Sequence, residues 1–194
     1  MCHDYLLVNG EQVALREINE DDATFVLSLR CDDKKSKYLH STKNDLLEQI
    51  KYIQNYYKNK DGWYFIILRK KTNERIGTYR IYDIRRDSFC IGSWIMVDGI
   101  TSGELIESDY LIRSFGFNKL KTRKLHFDVR KGNKKVIRYH MRFGARIITQ
   151  SDEDVFFECY KEDCVSLYQK KLYPNKLPKD MPPYVEVIKY NHAL

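Results

Sequence analysis

Three runs of aromatic and β-branched residues follow one another between Trp63 and Val97, and they constrain this chain more than any other feature. Residues 63–69, 75–84 and 88–97 each have strand composition, with the polar stretch 71–74 as a turn. Three such runs in succession predict an antiparallel meander. The periodicity on either side is different. Before the meander, Leu46, Leu47, Ile50, Ile53 and Tyr57 recur at helical spacing. Further upstream, residues 13–18 read as a strand, Asp21 or Asp22 is placed to cap a helix running to about Cys31, and residues 32–37 read as a loop. After the meander come a loop (98–103), a helix (104–120) weakened by Gly116, and a short strand (124–129). A helix follows at 133–143, with Asn133 as N-cap and Gly144 at its C-terminal end, then closing strands at 145–149 and 155–160. This order predicts a mixed α/β domain, with helices over a partly parallel sheet. Residues 173–194 hold all four prolines and read as an extended tail, packed on the domain or on a partner, beyond a domain of residues 1–172.

Composition narrows the classes. A chain of 194 residues suits one domain of ordinary size. It should bury roughly 70% of its unfolded surface, enough for a core without staples. With 43% hydrophobic residues, dominant disorder is excluded. There is no apolar run of membrane-spanning length, and the first residues do not resemble a signal peptide. Five cysteines are scattered without CxxC spacing, which argues against a disulfide framework and a structural zinc site. They are expected to be reduced, in a cytoplasmic protein without a metal. The net charge of +7 suits an anionic partner: nucleic acid, anionic lipid or a phosphorylated small molecule.

The stretch from Ser93 to Ala145 carries the chemistry. A strand enters a glycine-containing loop that opens a helix, so unpaired N–H groups from Thr101 to Leu105 form an anion site. Between Lys119 and Arg138 there are nine basic residues against one acid, Asp128. Singly, each is ordinarily a solvated side chain. Beside a phosphate-type loop, the group suggests a polyanionic cofactor.

These residues resemble motifs A and B of the GCN5-related N-acetyltransferases (GNAT). The family's loop reads Gln/Arg-x-x-Gly-x-Gly/Ala, and here it reads Ile100-Thr101-Ser102-Gly103-Glu104-Leu105, matching only at Gly103. The second signature, Asn-x-x-Ala/Ser-Ile-x-x-Tyr-x-Lys-x-Gly-Phe, meets Asn133 to Ala145, matching at Asn133, Ile137 and Gly144, with Arg142 conservative. The element order agrees over about three quarters of the chain. The resemblance implies a GNAT fold: a mixed, mostly antiparallel sheet with splayed parallel central strands, flanked by about four helices. It implies acetyl-coenzyme A held between those strands. Ile95, Met96 and Val97 would offer backbone groups to the pantetheine arm. Thr101, Ser102, Gly103, Glu104 and Leu105 would hold the pyrophosphate, Asn133 the pantetheine amide, and basic residues, Arg138 among them, the remaining charge.

Acetyl transfer needs a neutral amine, a donor for the oxyanion and a proton for the departing thiolate. In the family a tyrosine commonly supplies that proton. His140 stands at its position, with Tyr139 one residue before. An imidazole titrating near pH 6.5 could serve, and a helix-surface or core residue is the alternative reading. A backbone N–H near Met96 or Val97 is the candidate oxyanion donor. Tyr79, Asp83, His126 and His40 are candidate bases, each more ordinarily structural or solvent-facing.

Residues 38–42, through Tyr38 and His40, resemble the corresponding stretch of bacterial amino-sugar N-acetyltransferases of pseudaminic acid biosynthesis, and the likeness extends loosely through residues 63–68. It implies a small-molecule acceptor, a nucleotide-linked amino sugar, rather than nucleic acid or membrane, and leaves a homodimer open. Tyr38, Trp63, Tyr82 and Trp94 could stack on a sugar or base, and Arg85 and Arg86 could meet a diphosphate. The alternatives are a protein N-terminal acetyltransferase of the ribosomal-protein type, which shares the domain order, and a non-catalytic basic nucleic-acid-binding domain.

Overall fold

The computed structural model describes residues 4–39, 41–176 and 181–189. Strand β3 (Trp63–Arg69) shows why the molecule has two cores. Its middle is apolar without interruption because both of its faces are covered. Phe65 and Ile67 join one core with Val13, Leu15 and Phe115. Tyr64 and Ile66, alternating with them, join the other with Ile18, Val26 and Ile53. The second core is covered by α1 (Ala23–Arg30) and α3 (Leu46–Asn59). The first lies under α4 (Ser102–Leu120) and receives α6 (Lys161–Leu172).

The expected meander is present as β3, β4 (Glu74–Tyr82) and β5 (Ser88–Met96). It sits inside a nine-stranded sheet, completed by β1 (Asp4–Asn9), β2 (Val13–Glu17), β6 (Lys124–Arg130), β7 (Arg146–Gln150), β8 (Asp154–Tyr160) and β9 (Tyr184–Lys189). The strand order is β7-β8-β6-β5-β4-β3-β2-β1-β9. Every neighbouring pair is antiparallel except β5 with β6. That parallel pair holds only from Ser88 opposite Lys124 to Cys90 opposite His126. Beyond it the two strands part.

The parting has local causes. Thr78 faces Ile95 while Arg80 faces Gly92, so β5 spends three steps where β4 spends two. The extra residue is a bulge at Ser93, whose φ is +52°. Thr78 Oγ1 fastens the bulge by donating to Ser93 O at 2.9 Å. On the other side, Gly116 lets α4 settle onto the sheet, since a Cβ there would stand 2.5 Å from the Phe89 ring. The glycine that weakens the helix in propensity is thus a packing requirement.

Four elements depart from the sequence expectation. Strand β1 buries Tyr5 and Val8, three positions apart, so it shows no period of two. Helix α6 buries only Cys164 and Tyr168 within a largely polar segment. Residues 32–37, read as a loop, contain one turn of helix, α2 (Asp33–Ser36), because Asp32 caps the amides of Lys34 and Lys35. The segment read as an extended tail supplies β9, paired from Tyr184 opposite Asn9 to Lys189 opposite Asp4. Helix α5 (Lys134–Arg142) follows β6 and closes the open end of the parallel pair.

Candidate active site

Where β5 and β6 separate, they leave a slot of about 260 Å³. Gly92, Ser93 and Trp94 line it from β5, and Phe127 to Arg130 from β6. Asn133, Val136 and His140 line it from α5. These α5 positions share one helix face by their three- and four-residue spacing. The opposite face carries Lys135, Arg138, Tyr139 and Arg142, which border a second groove of about 760 Å³. That groove runs from Ser102, at the start of α4, to Lys170 and Lys171 on α6. Five cations therefore surround the N-terminus of a nineteen-residue helix.

The start of α4 is a capping box. Thr101 N–H donates to Glu104 Oε2 at 2.7 Å, and Glu104 N–H donates to Thr101 Oγ1 at 3.2 Å. Leu105 N–H donates to Thr101 O at 3.1 Å. Three of the five expected phosphate donors are thus already engaged, which leaves the amides of Ser102 and Gly103. The Glu104 carboxylate is itself neutralised by Arg69 at 2.5 Å, whose hydrogen bond holds it below the ordinary range. The expected backbone donors on β5 narrow in the same way. Val97 N–H donates to Ile76 O at 2.9 Å, so it faces β4. Alternation along the strand then turns Met96 toward the slot and Ile95 back to β4. Asn133 caps α5 by accepting from Val136 N–H at 3.4 Å, which leaves its carboxamide NH₂ for a ligand.

A buried ionic cluster lies beneath the slot. Tyr79 Oη donates to Asp109 Oδ1 at 2.6 Å, and Tyr168 Oη donates to Asp109 Oδ2. Arg113 Nε reaches Asp109 at 2.8 Å, and its Nη2 reaches His140 Nδ1 at 2.9 Å. Guanidinium is only a donor, so Nδ1 accepts and the imidazole proton resides on Nε2. Burial, with the Arg113 charge beside it, pushes the His140 pKa down to about 3. This overturns the expectation of an imidazole titrating near neutrality: His140 is a neutral N–H donor. Tyr139 lies off the slot-facing side of α5, and burial raises the pKa of its hydroxyl.

Among the acceptor-side expectations, Tyr38 and Tyr82 line the slot. Tyr38 Oη donates to Gly132 O at 3.0 Å. His40 lies outside the described residues. Arg85 lines neither cavity, because β4 ends at Tyr82 and the Asp83 carboxylate holds the Arg85 guanidinium at 2.5 Å. The expected bases do not reach the slot as bases. Asp83 and His126 pair with each other at 3.0 Å, near the closed end of the parallel strands, and Tyr79 is spent on Asp109. Sequence reasoning missed the two carboxylates that do line the slot, Asp128 and Asp154. Asp154 Oδ2 accepts from Arg130 at 3.1 Å, whereas Asp154 Oδ1 is buried without a partner. Asp154 reaches the slot by pairing opposite Arg130 across β8 and β6, a register that no local signal in the sequence gives.

The sequence family described as the acetyltransferase (GNAT) domain matches residues 12–146. The chain belongs to the GNAT acetyltransferase family. Among solved structures it is similar to FdhC, described as a nucleotide-linked sugar GNAT, at 35% identity and a TM-score of 0.75. That match covers 87% of this chain and 96% of FdhC. A GCN5-related N-acetyltransferase from Brucella melitensis matches at 18% identity and a TM-score of 0.72, covering 91% and 90% of the two chains. A ribosomal-protein-S5-alanine acetyltransferase from Vibrio fischeri matches at 12% identity and a TM-score of 0.65, covering 81% of this chain and 98% of that one. The last two show likeness of fold. No curated protein sequence matches the chain. GNAT enzymes use acetyl-coenzyme A, and this GNAT chain is an N-acetyltransferase.

The residues present fit that donor. Parted strands, the unpartnered Trp94 Nε1 beside the slot, two free first-turn amides and a five-cation groove suit a thioester arm that ends in phosphates. Among the described residues, no helix is long and apolar enough to cross a membrane.

Proposed function

We propose that the chain transfers acetyl from acetyl-coenzyme A to the primary amine of a nucleotide-linked amino sugar. The observation that carries this reading is the 35% identity to FdhC over 87% of the chain. The two faces of α5 support it: one borders the slot, which Tyr38 and Tyr82 also line, and the other borders the five-cation groove. The peptide alternative has only a likeness of fold behind it, at 12% identity.

In this reading, Ser102, Gly103, Lys135 and Arg138 hold the phosphates of the donor. Met96 and Asn133 hold its arm. Acetyl-coenzyme A supplies the thioester carbonyl. Asp154 or Asp128 takes one proton from the ammonium, directly or through water, and the neutral nitrogen bonds to the thioester carbonyl carbon. The carbon–sulfur bond breaks, coenzyme A leaves as the thiolate, and the second proton lost by the nitrogen reaches that thiolate through water. The His140 Nε2–H donates a hydrogen bond to charge developing on the thioester. Arg113 fixes the tautomer that makes this donation available, and Asp109 fixes Arg113.

A thiol-release assay tests the acceptor. Acetyl-coenzyme A is offered with uridine- or thymidine-diphosphate amino sugars and, separately, with peptides bearing free N-terminal amines. Release with the sugars and none with the peptides is expected. Release with peptides alone overturns the reading.

A further inference from the structure

A second cavity of about 390 Å³ adjoins the slot, sharing Arg30, Tyr82 and Ser93 with it. Arg80 projects into it from β4. The Arg80 guanidinium carbon lies 5.2 Å from the ring centre of Tyr64, 5.3 Å from that of Tyr82 and 5.6 Å from that of Tyr52. Its Nη1 donates to Tyr52 Oη, and its Nε is buried without an acceptor. Among the described residues, no carboxylate forms an ion pair with Arg80. The one acid lining the cavity, Glu48, pairs with Lys43 at 3.4 Å on the exposed rim. Arg30 is oriented within the same cavity by a 2.6 Å hydrogen bond from its Nε to Thr42 Oγ1.

The arrangement is unusual in its chemistry. Arg80 is half-buried, and a guanidinium drawn partly out of water is ordinarily neutralised by a carboxylate. Three tyrosine faces stabilise the cation without cancelling it. Arg80 therefore keeps its charge and the Nε–Nη2 edge of its fork for a ligand, and such an edge matches phosphate oxygens. Two guanidinium groups in one cavity suit two adjacent phosphates better than one carboxylate. Continuity with the slot places such an anion beside the position of the acceptor amine.

We propose that Arg80, seated on Tyr52, Tyr64 and Tyr82 and assisted by Arg30, recognises the diphosphate of the nucleotide-linked acceptor. This rests on the acceptor reading above. It replaces Arg85 and Arg86, which the sequence suggested for the same task. Arg80 is a binding residue that sets substrate preference, and it takes no part in the chemical step.

Calorimetric titration tests this, on protein saturated with coenzyme A so that the five-cation groove is filled. The probes are uridine diphosphate, thymidine diphosphate and the phosphate-free nucleoside uridine. The wild-type chain should bind a nucleoside diphosphate, and Arg80→Gln should weaken that binding by about ten- to a hundredfold. Arg80→Lys, which keeps the charge and loses the fork, should recover part of it. The response to uridine should be the same in all three proteins. An Arg80→Gln affinity within twofold of wild type overturns the assignment, and so does an equal loss of uridine binding. If the wild-type chain binds neither nucleoside diphosphate, the acceptor reading itself fails. Circular dichroism checks each fold, and Arg30→Gln is read in place of Arg80→Gln should that variant unfold.

Discussion

Of the three carboxylates that helix α4 buries, Glu107 and Asp109 are both fully sequestered from solvent and two residues apart, yet they serve opposite purposes. Glu107 gathers backbone. It accepts from the amides of Glu11, Gln12 and Val13 at 2.7 to 2.9 Å, and from the Tyr173 hydroxyl. It pins the turn between β1 and β2, together with the chain after α6, onto the helix. Asp109 gathers side chains: Tyr79, Tyr168 and Arg113, and through Arg113 the slot-lining His140. Burial alone would raise the Asp109 pKa, and the Arg113 charge together with the hydrogen bonds from Arg113 and Tyr168 more than offsets it, so Asp109 stays ionised. The partner type separates the two roles. Backbone donors cannot change state, so Glu107 is scaffold. A histidine partner can, so the Asp109 cluster fixes a protonation state beneath the slot.

The sharpest way to break this contrast is Arg113→Met. It leaves Asp109 buried without its cation and should lower the unfolding free energy by about 3–5 kcal/mol, read from urea titration. Adding Asp109→Asn should restore much of that loss, because it removes the uncompensated charge. A single-variant loss below about 1 kcal/mol would mean that the cluster does not hold the core. Glu107→Gln comes next. It replaces a charged acceptor of three amides with a neutral one, at a cost of about 1.5–3 kcal/mol. For a chain of this size, each kcal/mol lowers the melting temperature by about 2–4 °C. Turnover per folded molecule should be unchanged, and a fall in turnover would erase the distinction between scaffold and site.

Acid titration sharpens the comparison further. The folded His140 pKa, at about 3, lies below its unfolded value near 6.5. The unfolded chain therefore binds the extra proton first. The stability that His140 contributes is complete above pH 6.5 and is lost as pH falls toward 3. Asp109 acts in the same direction, only below its ordinary value of 3.8. Between pH 6.5 and 4, the wild-type chain should lose up to about 1.4 kcal/mol per pH unit more than His140→Gln. Parallel curves would show that His140 titrates as an exposed imidazole does.

The sequence reading and the structure agree where one local signal dominates. The meander was legible because three strands in succession carry β-branched and aromatic residues. Helix α5 was legible because Asn133 and Gly144 mark its ends. Helix α6 was not, since Cys164 and Tyr168 are its only buried side chains and the core they enter is assembled from distant strands. The capping box at Thr101 and Glu104 was readable, and it would have shown that the α4 amides are partly engaged. The Asp109 cluster was hidden for a different reason. On a helix, Asp109 and Arg113 look like a solvated i,i+4 pair. Tyr79 from β4, His140 from α5 and Tyr168 from α6 together take them out of water. Arg80 was hidden likewise, because a charge in a strand between aromatic neighbours ordinarily faces solvent.

The smallest effect should come from Arg138, on the opposite face of α5 from His140. Arg138 is exposed at the edge of the five-cation groove, where solvent screens each charge and no single cation dominates. Arg138→Ala should change stability by no more than about 0.5 kcal/mol. It should raise the KM for acetyl-coenzyme A by about three- to tenfold, with kcat unchanged, because a phosphate contact remote from the reacting carbonyl is equally strong before and during transfer. The KM penalty should shrink as salt is added. One helix would then carry two separable functions: His140 moves turnover and acid stability without salt dependence, and Arg138 moves KM with it. A fall in kcat for Arg138→Ala would mean that the groove and the slot act as one unit, and the division of α5 into two faces would fail.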